Sequence, residues 1–217
     1  YACGHSPRRE TAGRTFVYRT SDTYVLGTAL AAFVRRRIGP QADLLDDVAW
    51  QDVWRVAGLS PVAHFSRRTR DDARQPFVGY GLALLPDDVA KLGQWLNPQG
   101  ESARDLLDER MWRSALQLDA ADRGLAANAD GTLLYNDGFW AARIDDLPGC
   151  EVPVFVPFMS GFGGVSIVLL PNGVTYYYFS DGNEFRFRRA IYAAARLHPY
   201  CRTATATPAY SAKDSDS

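Results

Sequence analysis

Lysine is nearly absent from the sequence: the 24 basic residues are all arginines except Lys91 and Lys213. Lysine has an accessible neutral state and arginine does not, so a lysine base is restricted to two positions. The basic and acidic residues, 24 and 25, nearly cancel. This balance leaves no basic footprint for nucleic acid or anionic lipid.

Long apolar runs are also missing. No segment approaches the roughly 18 apolar residues of a transmembrane helix, so no membrane span is expected. The first residues, Tyr1 to His5, lack the charged, apolar and small-residue regions of a signal peptide. The histidines His5, His64 and His198 are isolated and have no metal-ligand spacing, so neither a metal nor a cofactor is expected.

Cysteine is scarce as well. Cys3, Cys150 and Cys201 are too few and too far apart for a zinc site or a redox Cys-x-x-Cys motif. We favour buried free thiols. The alternative is a Cys150–Cys201 disulfide in an oxidising compartment, with Cys3 left over.

The 217 residues, 47% hydrophobic and 23% charged, suffice for one sizeable core or for two subdomains sharing one. Apolar residues recur at helical spacing from Val25 to Val34, with Leu26, Leu30 and Phe33 among them, and Gly39 follows the last turn. Further helices are predicted over 43–57, from 86 to about 96, and from about 102 to 116.

After about residue 131 the apolar pattern becomes extended. One strand is predicted from 133–135 and 138–142 together, and two more over 165–170 and 174–179. Asn172-Gly173 favours a hairpin between the last two. A closing helix is predicted over about 183–197. The order predicts an α+β fold: a mainly helical region (1–130), an antiparallel sheet with a closing helix of the same domain (131–201), and a disordered tail (202–217).

Four segments occur in an order and spacing that carry a resemblance. They are Phe16-Val-Tyr18-Arg-Thr20 with Gly27 in the helix that follows, Gly79-Tyr80-Gly81-Leu82 with the helix from Pro86, Tyr135–Trp140, and Met159-Ser160-Gly161-Phe162-Gly163-Gly164 before an apolar hairpin. The set resembles the β-lactamase-like serine hydrolases, which include class C β-lactamases and penicillin-binding proteins. The nearest branch is that of esterases and amide hydrolases, including enzymes that cleave 6-aminohexanoate oligomers.

The resemblance implies hydrolysis of a small amide or ester through a covalent serine intermediate, without a cofactor. Tyr18 would be the proton relay, and the backbone N–H of Phe162 would contribute to the oxyanion hole. A free tyrosine titrates near pH 10, so a relay near neutrality needs a neighbouring cation such as an ammonium. Neither lysine of this chain is well placed to supply it.

The resemblance also implies four substrate-binding residues: Thr20, Met159, Ser160 and Gly161. Thr20 stands where many relatives have Asn. Met159 stands where relatives have Lys or His, and its thioether cannot pair with a substrate carboxylate. Recognition of a β-lactam is therefore not expected.

The first motif of the family, Ser-x-x-Lys, is missing: three residues on from every serine, no lysine is found. One hypothesis is that the chain is the C-terminal portion of a serine hydrolase, inactive without an N-terminal segment that carries the nucleophile helix and strands. The alternative is a non-catalytic relative that keeps the cleft as a binding or interaction module. The sequence does not identify the cellular compartment. The resemblance is compatible with a periplasmic or secreted location, and the composition is also compatible with a cytoplasmic one.

Two of these features also have a purely structural interpretation. Tyr18 has the alternative of a packed ring, and Gly161–Gly164 that of a tight turn at the sheet edge. Ser60, His64 and Asp71 could form a triad, but four residues in a loop do not define its geometry. The Arg67-Arg68 and Arg70-Asp71-Asp72 runs are expected to be solvated.

Overall fold

The structure, a computed structural model, describes residues 11, 13–99, 106–182 and 186–201. Helix α1 spans Thr20–Arg37 and contains the predicted helical run from Val25 to Val34. A π-helix at Leu44–Trp54 and a short 3₁₀ helix at Pro61–Phe65 follow. The next helices are α2 at Pro86–Leu96 and α3 at Glu109–Ala115. The chain ends its described part with helix α4 at Arg188–Leu197.

The sheet has six strands in chain order, each antiparallel to the next. They are β1 at Leu125–Ala126, β2 at Leu133–Asn136, β3 at Phe139–Ile144, β4 at Val154–Gly161, β5 at Val165–Leu169 and β6 at Thr175–Tyr178. The predicted α+β class and the hairpin at Asn172-Gly173 are confirmed. The sheet begins at Leu125, before the predicted boundary at residue 131. The single strand predicted from 133–135 and 138–142 is wrong: β2 and β3 are two paired strands, and the positive φ values of Asp137 and Gly138 turn the chain between them. Strand β4 had no prediction from apolar periodicity.

Helices pack on both faces of this sheet. On one face, Val89 and Leu92 of α2 join Ile167 of β5 in a buried cluster. On the other, Ile191 of α4 joins Val168 of β5. Successive residues of β5 therefore point to opposite cores, which explains the unbroken apolar run from 167 to 170.

Helix α2 sits unusually close to the β5–β6 hairpin. A Cβ on Gly93 would collide with the side chain of Thr175, so only glycine allows this approach. At the C-terminus of α2, Asn97 donates through Nδ2 to the carbonyls of Leu170 and Val174, both at 3.3 Å. These contacts fix the helical half of the chain to the sheet.

Three sequence expectations about helices need correction. The segment predicted as a helix over 43–57 is a π-helix, closed at its C-terminal end by i→i−5 hydrogen bonds such as Arg55 N–H to the Trp50 carbonyl at 2.9 Å. Helix α3 begins at Glu109, where Asp108 caps it, and residues 101–105 of the predicted helix lie outside the described part. Helix α4 begins at Arg188; residues 183–185 lie outside the described part, as does the predicted tail 202–217.

The apolar residues of α1 are only partly buried. The helix buries the small stripe Gly27, Ala31 and Val34. The larger side chains Leu26 and Phe33 are 56% and 53% exposed. A contiguous exposed apolar surface of this kind usually marks a binding face.

The favoured interpretation of the cysteines is wrong for two of them. Cys150 and Cys201 form a disulfide, with their Cα atoms 5.3 Å apart. Folding of the sheet and α4 brings the two residues together across 51 positions of sequence. Cys3 lies outside the described residues.

Candidate functional site

A cavity of about 1410 Å³ lies between the helical segments and one end of the sheet. It brings together all six residues that the resemblance singled out. They are Tyr18, Thr20, Met159, Ser160, Gly161 and Phe162. The first two precede or begin α1, and the others end β4, so the tertiary fold alone unites them.

Tyr18 stands at the aromatic wall of this cavity. Its ring centroid lies 5.9 Å from that of Trp140 and 6.0 Å from that of Tyr135. Phe16 packs on the same two rings at 5.5 and 5.2 Å. Tyr18 keeps 52% of its surface exposed, so its ring is held on one side and open on the other. Both the packed-ring interpretation and an accessible hydroxyl are compatible with this position.

Burial raises the pKa of Tyr135, and the nearby Tyr18 and Asp137 raise it further. Tyr135 therefore stays protonated across the ordinary pH range. A neutral phenol behind Tyr18 supplies no positive charge to it. Of the residues that the structure describes, the sole lysine is Lys91, and it does not line the cavity.

Thr20 begins α1, and the segment around Gly79 is packed tightly against it. A Cβ on Gly79 would come within 2.9 Å of Thr20 Cγ2. About two helical turns further along α1, a Cβ on Gly27 would come within 2.6 Å of Val78 Cγ2. The glycines at both positions therefore allow the segment that contains Gly79-Tyr80-Gly81 to close over the start of α1. This packing explains why the two motifs carry glycine.

Strand β4 presents Met159 to the cavity. Met159 pairs with Ile167 and packs with the α2-side core, whereas its neighbour Phe158 packs with the α4-side core. Ser160 shares the face of Phe158 by alternation and is exposed at the strand end. Phe162 is fully exposed at the tip of the β4–β5 hairpin.

The tip of the β4–β5 hairpin is a tight turn, as the structural interpretation of Gly161–Gly164 predicts. Gly163 and Gly164 have φ values of 86° and 93°, in the left-handed region that favours glycine. A turn and a substrate-binding strand end are compatible roles. The turn sets the path of the backbone at Phe162, and the strand end faces the cavity.

The remaining lining is mostly aliphatic and aromatic. It includes Leu30, Leu44, Leu45, Ala49, Trp54, Phe77, Leu82, Leu84, Val89, Leu92, Trp140, Val165, Ile167 and Phe179. Among the described lining residues none is Asp, Glu, Lys, Arg or His. The sequence motifs include Trp140 but assign it no role. No local sequence pattern predicted that Trp54 or Phe179 would line the cavity.

The alternative triad is contradicted. Ser60 donates through Oγ to Asp88 Oδ2 at 2.6 Å, and His64 lies 3.0 Å from Asp46. The carboxylate of Asp71 accepts instead from Thr69 at 2.5 Å. Each member is thus engaged with a different partner.

The expected solvated arginine run is also wrong for Arg68. Its side chain is 11% exposed and is bound by Asp43 and Asp46. Arg67, by contrast, is exposed and lies over the rings of Phe77 and Tyr80 at 5.9 and 5.5 Å.

Within the described residues no group of three or more His, Cys, Asp or Glu side chains could hold a metal ion. A search of the same residues finds no helix of the length and apolarity needed to cross a membrane.

Comparison with known proteins adds no neighbour. No family model matches the chain, and neither a curated protein nor a solved structure matches it significantly. The resemblance to the β-lactamase-like hydrolases therefore stays a prediction from the sequence motifs.

Proposed function

We propose that this chain is the C-terminal part of a β-lactamase-like serine hydrolase that cleaves amide or ester bonds through an acyl-enzyme. The observation that carries the proposal is the convergence of Tyr18 with the β4 end Met159–Phe162 on one cavity. These positions come from two motifs that are distant in the sequence. Their meeting at one cavity supports the proposal, because the resemblance expects them to share a site.

The proposed chemistry assigns each group one step. A serine Oγ forms a bond to the substrate carbonyl carbon while Tyr18, acting as the base beside the lysine of the proposed upstream segment, accepts the serine proton. The tetrahedral intermediate then collapses by breaking the C–N or C–O bond, and Tyr18 passes the proton to the departing amine or alcohol. The backbone N–H of Phe162 stabilises the negative oxygen of the tetrahedral intermediate. Water then hydrolyses the acyl-serine ester, and the serine regains its proton.

The serine and its lysine must come from a segment outside these 217 residues, because the sequence contains no Ser-x-x-Lys. Two features supply room for such a segment. The cavity of about 1410 Å³ exceeds the roughly 300–1,000 Å³ of small-molecule pockets. The apolar side chains Leu26 and Phe33 of α1 are exposed, and Leu30 beside them lines the cavity. An amphipathic helix with a Ser-x-x-Lys face would cover both.

The Cys150–Cys201 disulfide supports an oxidising compartment for the proposed enzyme, such as the periplasm or the extracellular space.

A non-catalytic binding module is the second candidate. It is favoured by the missing nucleophile and by the open cavity. The two candidates differ in the DNA upstream of the codon for Tyr1. An in-frame Ser-x-x-Lys there supports the hydrolase, whereas an initiator codon directly before Tyr1 and a stably folded, silent product support the module.

Hydrolysis of p-nitrophenyl esters by the protein with its upstream segment tests the proposal. We expect turnover by that protein, none by the 217 residues alone, and a loss of about 10²-fold or more in Tyr18→Phe. Tyr177→Phe, at a position on β6 outside the cavity lining, is the matched control and should keep full turnover. Unchanged turnover in Tyr18→Phe, or turnover by the 217 residues alone, would contradict the proposal.

A further inference from the structure

We propose that this cavity accepts neutral, apolar acyl groups, such as alkyl or aryl amides and esters, and rejects ligands that carry a carboxylate. The inference deepens the proposed function, since it treats the bound molecule as the substrate. The selectivity is a property of the lining that this chain contributes, apart from the lysine that the proposed upstream segment would add. It is measured by binding to this chain, independently of turnover.

The first observation is the uncharged lining. None of the described residues around the cavity carries a formal charge. A carboxylate entering it would give up water without gaining a cation, and an unpaired buried charge is strongly disfavoured. A neutral amide or ester gives up far less hydration.

The second observation concerns the charged groups nearby. Arg67 is a cation next to the lining, and its guanidinium lies over the rings of Phe77 and Tyr80. Both rings line the cavity, but Arg67 does not. Arg68 is held by Asp43 and Asp46, with contacts of 2.6 to 3.0 Å. Neither arginine is presented as a carboxylate partner within the lining.

The third observation is the aromatic wall, formed by Tyr18 and Trp140 with Phe16 and Tyr135 behind them. Trp140 lies 4.9 Å from Tyr135 and 5.9 Å from Tyr18, centroid to centroid. Such a cluster of rings offers a broad apolar surface on which an aryl or alkyl chain can pack. The negative faces of these rings do not pair with an anionic headgroup such as a carboxylate.

The polar side chains of the lining are neutral hydroxyls. Ser66 is already engaged, since its Oγ donates to the Ala63 carbonyl at 2.6 Å and accepts from the Ala83 N–H at 3.2 Å. The other hydroxyl-bearing residues of the lining are Tyr18, Thr20, Tyr80 and Ser160. A hydroxyl can bond to the carbonyl of an amide or ester, but it cannot neutralise a carboxylate.

Isothermal titration of the 217-residue chain with two anilides of equal chain length tests the inference. N-phenylhexanamide is neutral, and its counterpart 6-anilino-6-oxohexanoate ends in a carboxylate. At neutral pH and low salt we expect the neutral anilide to bind at least tenfold more tightly. Equal binding, tighter binding of the carboxylate, or no binding of either anilide would overturn the inference.

Two lysine variants locate the selectivity. Met159→Lys puts a cation beside the β4 end, and we expect it to raise affinity for the carboxylate anilide at least tenfold. Met111→Lys, at a 66% exposed position on α3 outside the lining, is the matched control and should change neither affinity. Because Met159 is half-buried, Phe162→Lys at the fully exposed hairpin tip serves as a second variant that leaves the core intact. Folded variants at both positions with an unchanged affinity ratio would overturn the assignment to this cavity.

The outcome is separable from that of the proposed function. Absence of ester hydrolysis with correct selectivity contradicts the hydrolase proposal alone. Hydrolysis with a preference for carboxylate ligands contradicts this inference alone.

Discussion

Arg68 binds Asp43 through both terminal nitrogens: Nη1 lies 2.6 Å from Oδ2 and Nη2 lies 2.9 Å from Oδ1. Nη2 also contacts Asp46 Oδ2 at 3.0 Å. The pair ties the segment after the 3₁₀ helix to the N-terminus of the π-helix, where Asp43 also caps the Leu45 N–H at 2.8 Å. Two elements that line or adjoin the cavity are thereby held together.

We expect Arg68→Ala to lower the free energy of unfolding by about 2 kcal/mol, because it leaves the part-buried carboxylate of Asp43 without its cation. Arg70→Ala, at an exposed position two residues on, is the control and should change stability by less than about 0.5 kcal/mol. Urea denaturation followed by circular dichroism measures both. Equal effects of the two substitutions would show that the ion pair contributes nothing.

The contribution of Asp88 to the stability of the fold should depend on pH. Burial raises the pKa of this carboxyl, but hydrogen bonds from the Ser60 hydroxyl, the Ser60 N–H and the Leu85 N–H outweigh burial and hold it below its usual range. Because the folded-state pKa is lowered, the carboxylate stabilises the fold above about pH 3.8. That stabilisation is lost as the pH falls through the folded-state pKa.

Asp88→Asn should therefore cost about 2 kcal/mol at neutral pH, and the difference from the wild type should shrink toward strongly acidic pH. Asp87→Asn is the matched control, since Asp87 is exposed in the same first helical turn. It shares any effect of the helix dipole but lacks the buried hydrogen bonds. Denaturation midpoints across a pH series check this; a constant difference at every pH would contradict it.

The disulfide closes a loop across 51 positions. On loop-closure entropy, replacing both Cys150 and Cys201 by serine should lower the free energy of unfolding by about 4 kcal/mol. The same loss should follow when a reductant is added to the wild type, and the reductant should have no effect on the double variant. A wild type whose stability does not respond to the reductant would contradict the bond.

Gly81 lines the cavity with φ at 85°, and a Cβ there would come within 2.5 Å of Arg67 Cβ. We expect Gly81→Ala to cost about 3 kcal/mol: about 1 from the left-handed backbone and about 2 from the steric clash. Gly138, at φ 93°, has nothing within 4 Å of such a Cβ. Gly138→Ala should carry the backbone cost alone, about 1 kcal/mol. Thermal unfolding compares the two, and equal losses would show that the contact with Arg67 adjusts freely.

Local patterns predicted much of the fold. The Pro86-Asp87-Asp88 start of α2 and the Asn172-Gly173 hairpin were correctly placed from sequence, since caps and turns depend on residues a few positions apart. The two-residue strand β1 escaped prediction because two residues carry no periodicity. The π-helix at 44–54 escaped because its apolar spacing is also compatible with an α-helix.

By itself, the sequence determined that a helical region precedes an antiparallel sheet and a closing helix, and that Ser-x-x-Lys is absent; the six candidate site residues stay a prediction from the motifs. Only the tertiary structure decided that Tyr18 and Phe162 share a cavity without charged residues among its described lining, that Cys150 pairs with Cys201, and that Arg68 is partly buried between Asp43 and Asp46. The physical reason is the range of the interactions. Caps, turns and periodicity act within a few residues, whereas a disulfide, an ion pair or a cavity wall depends on segments that meet only after the sheet and helices have packed.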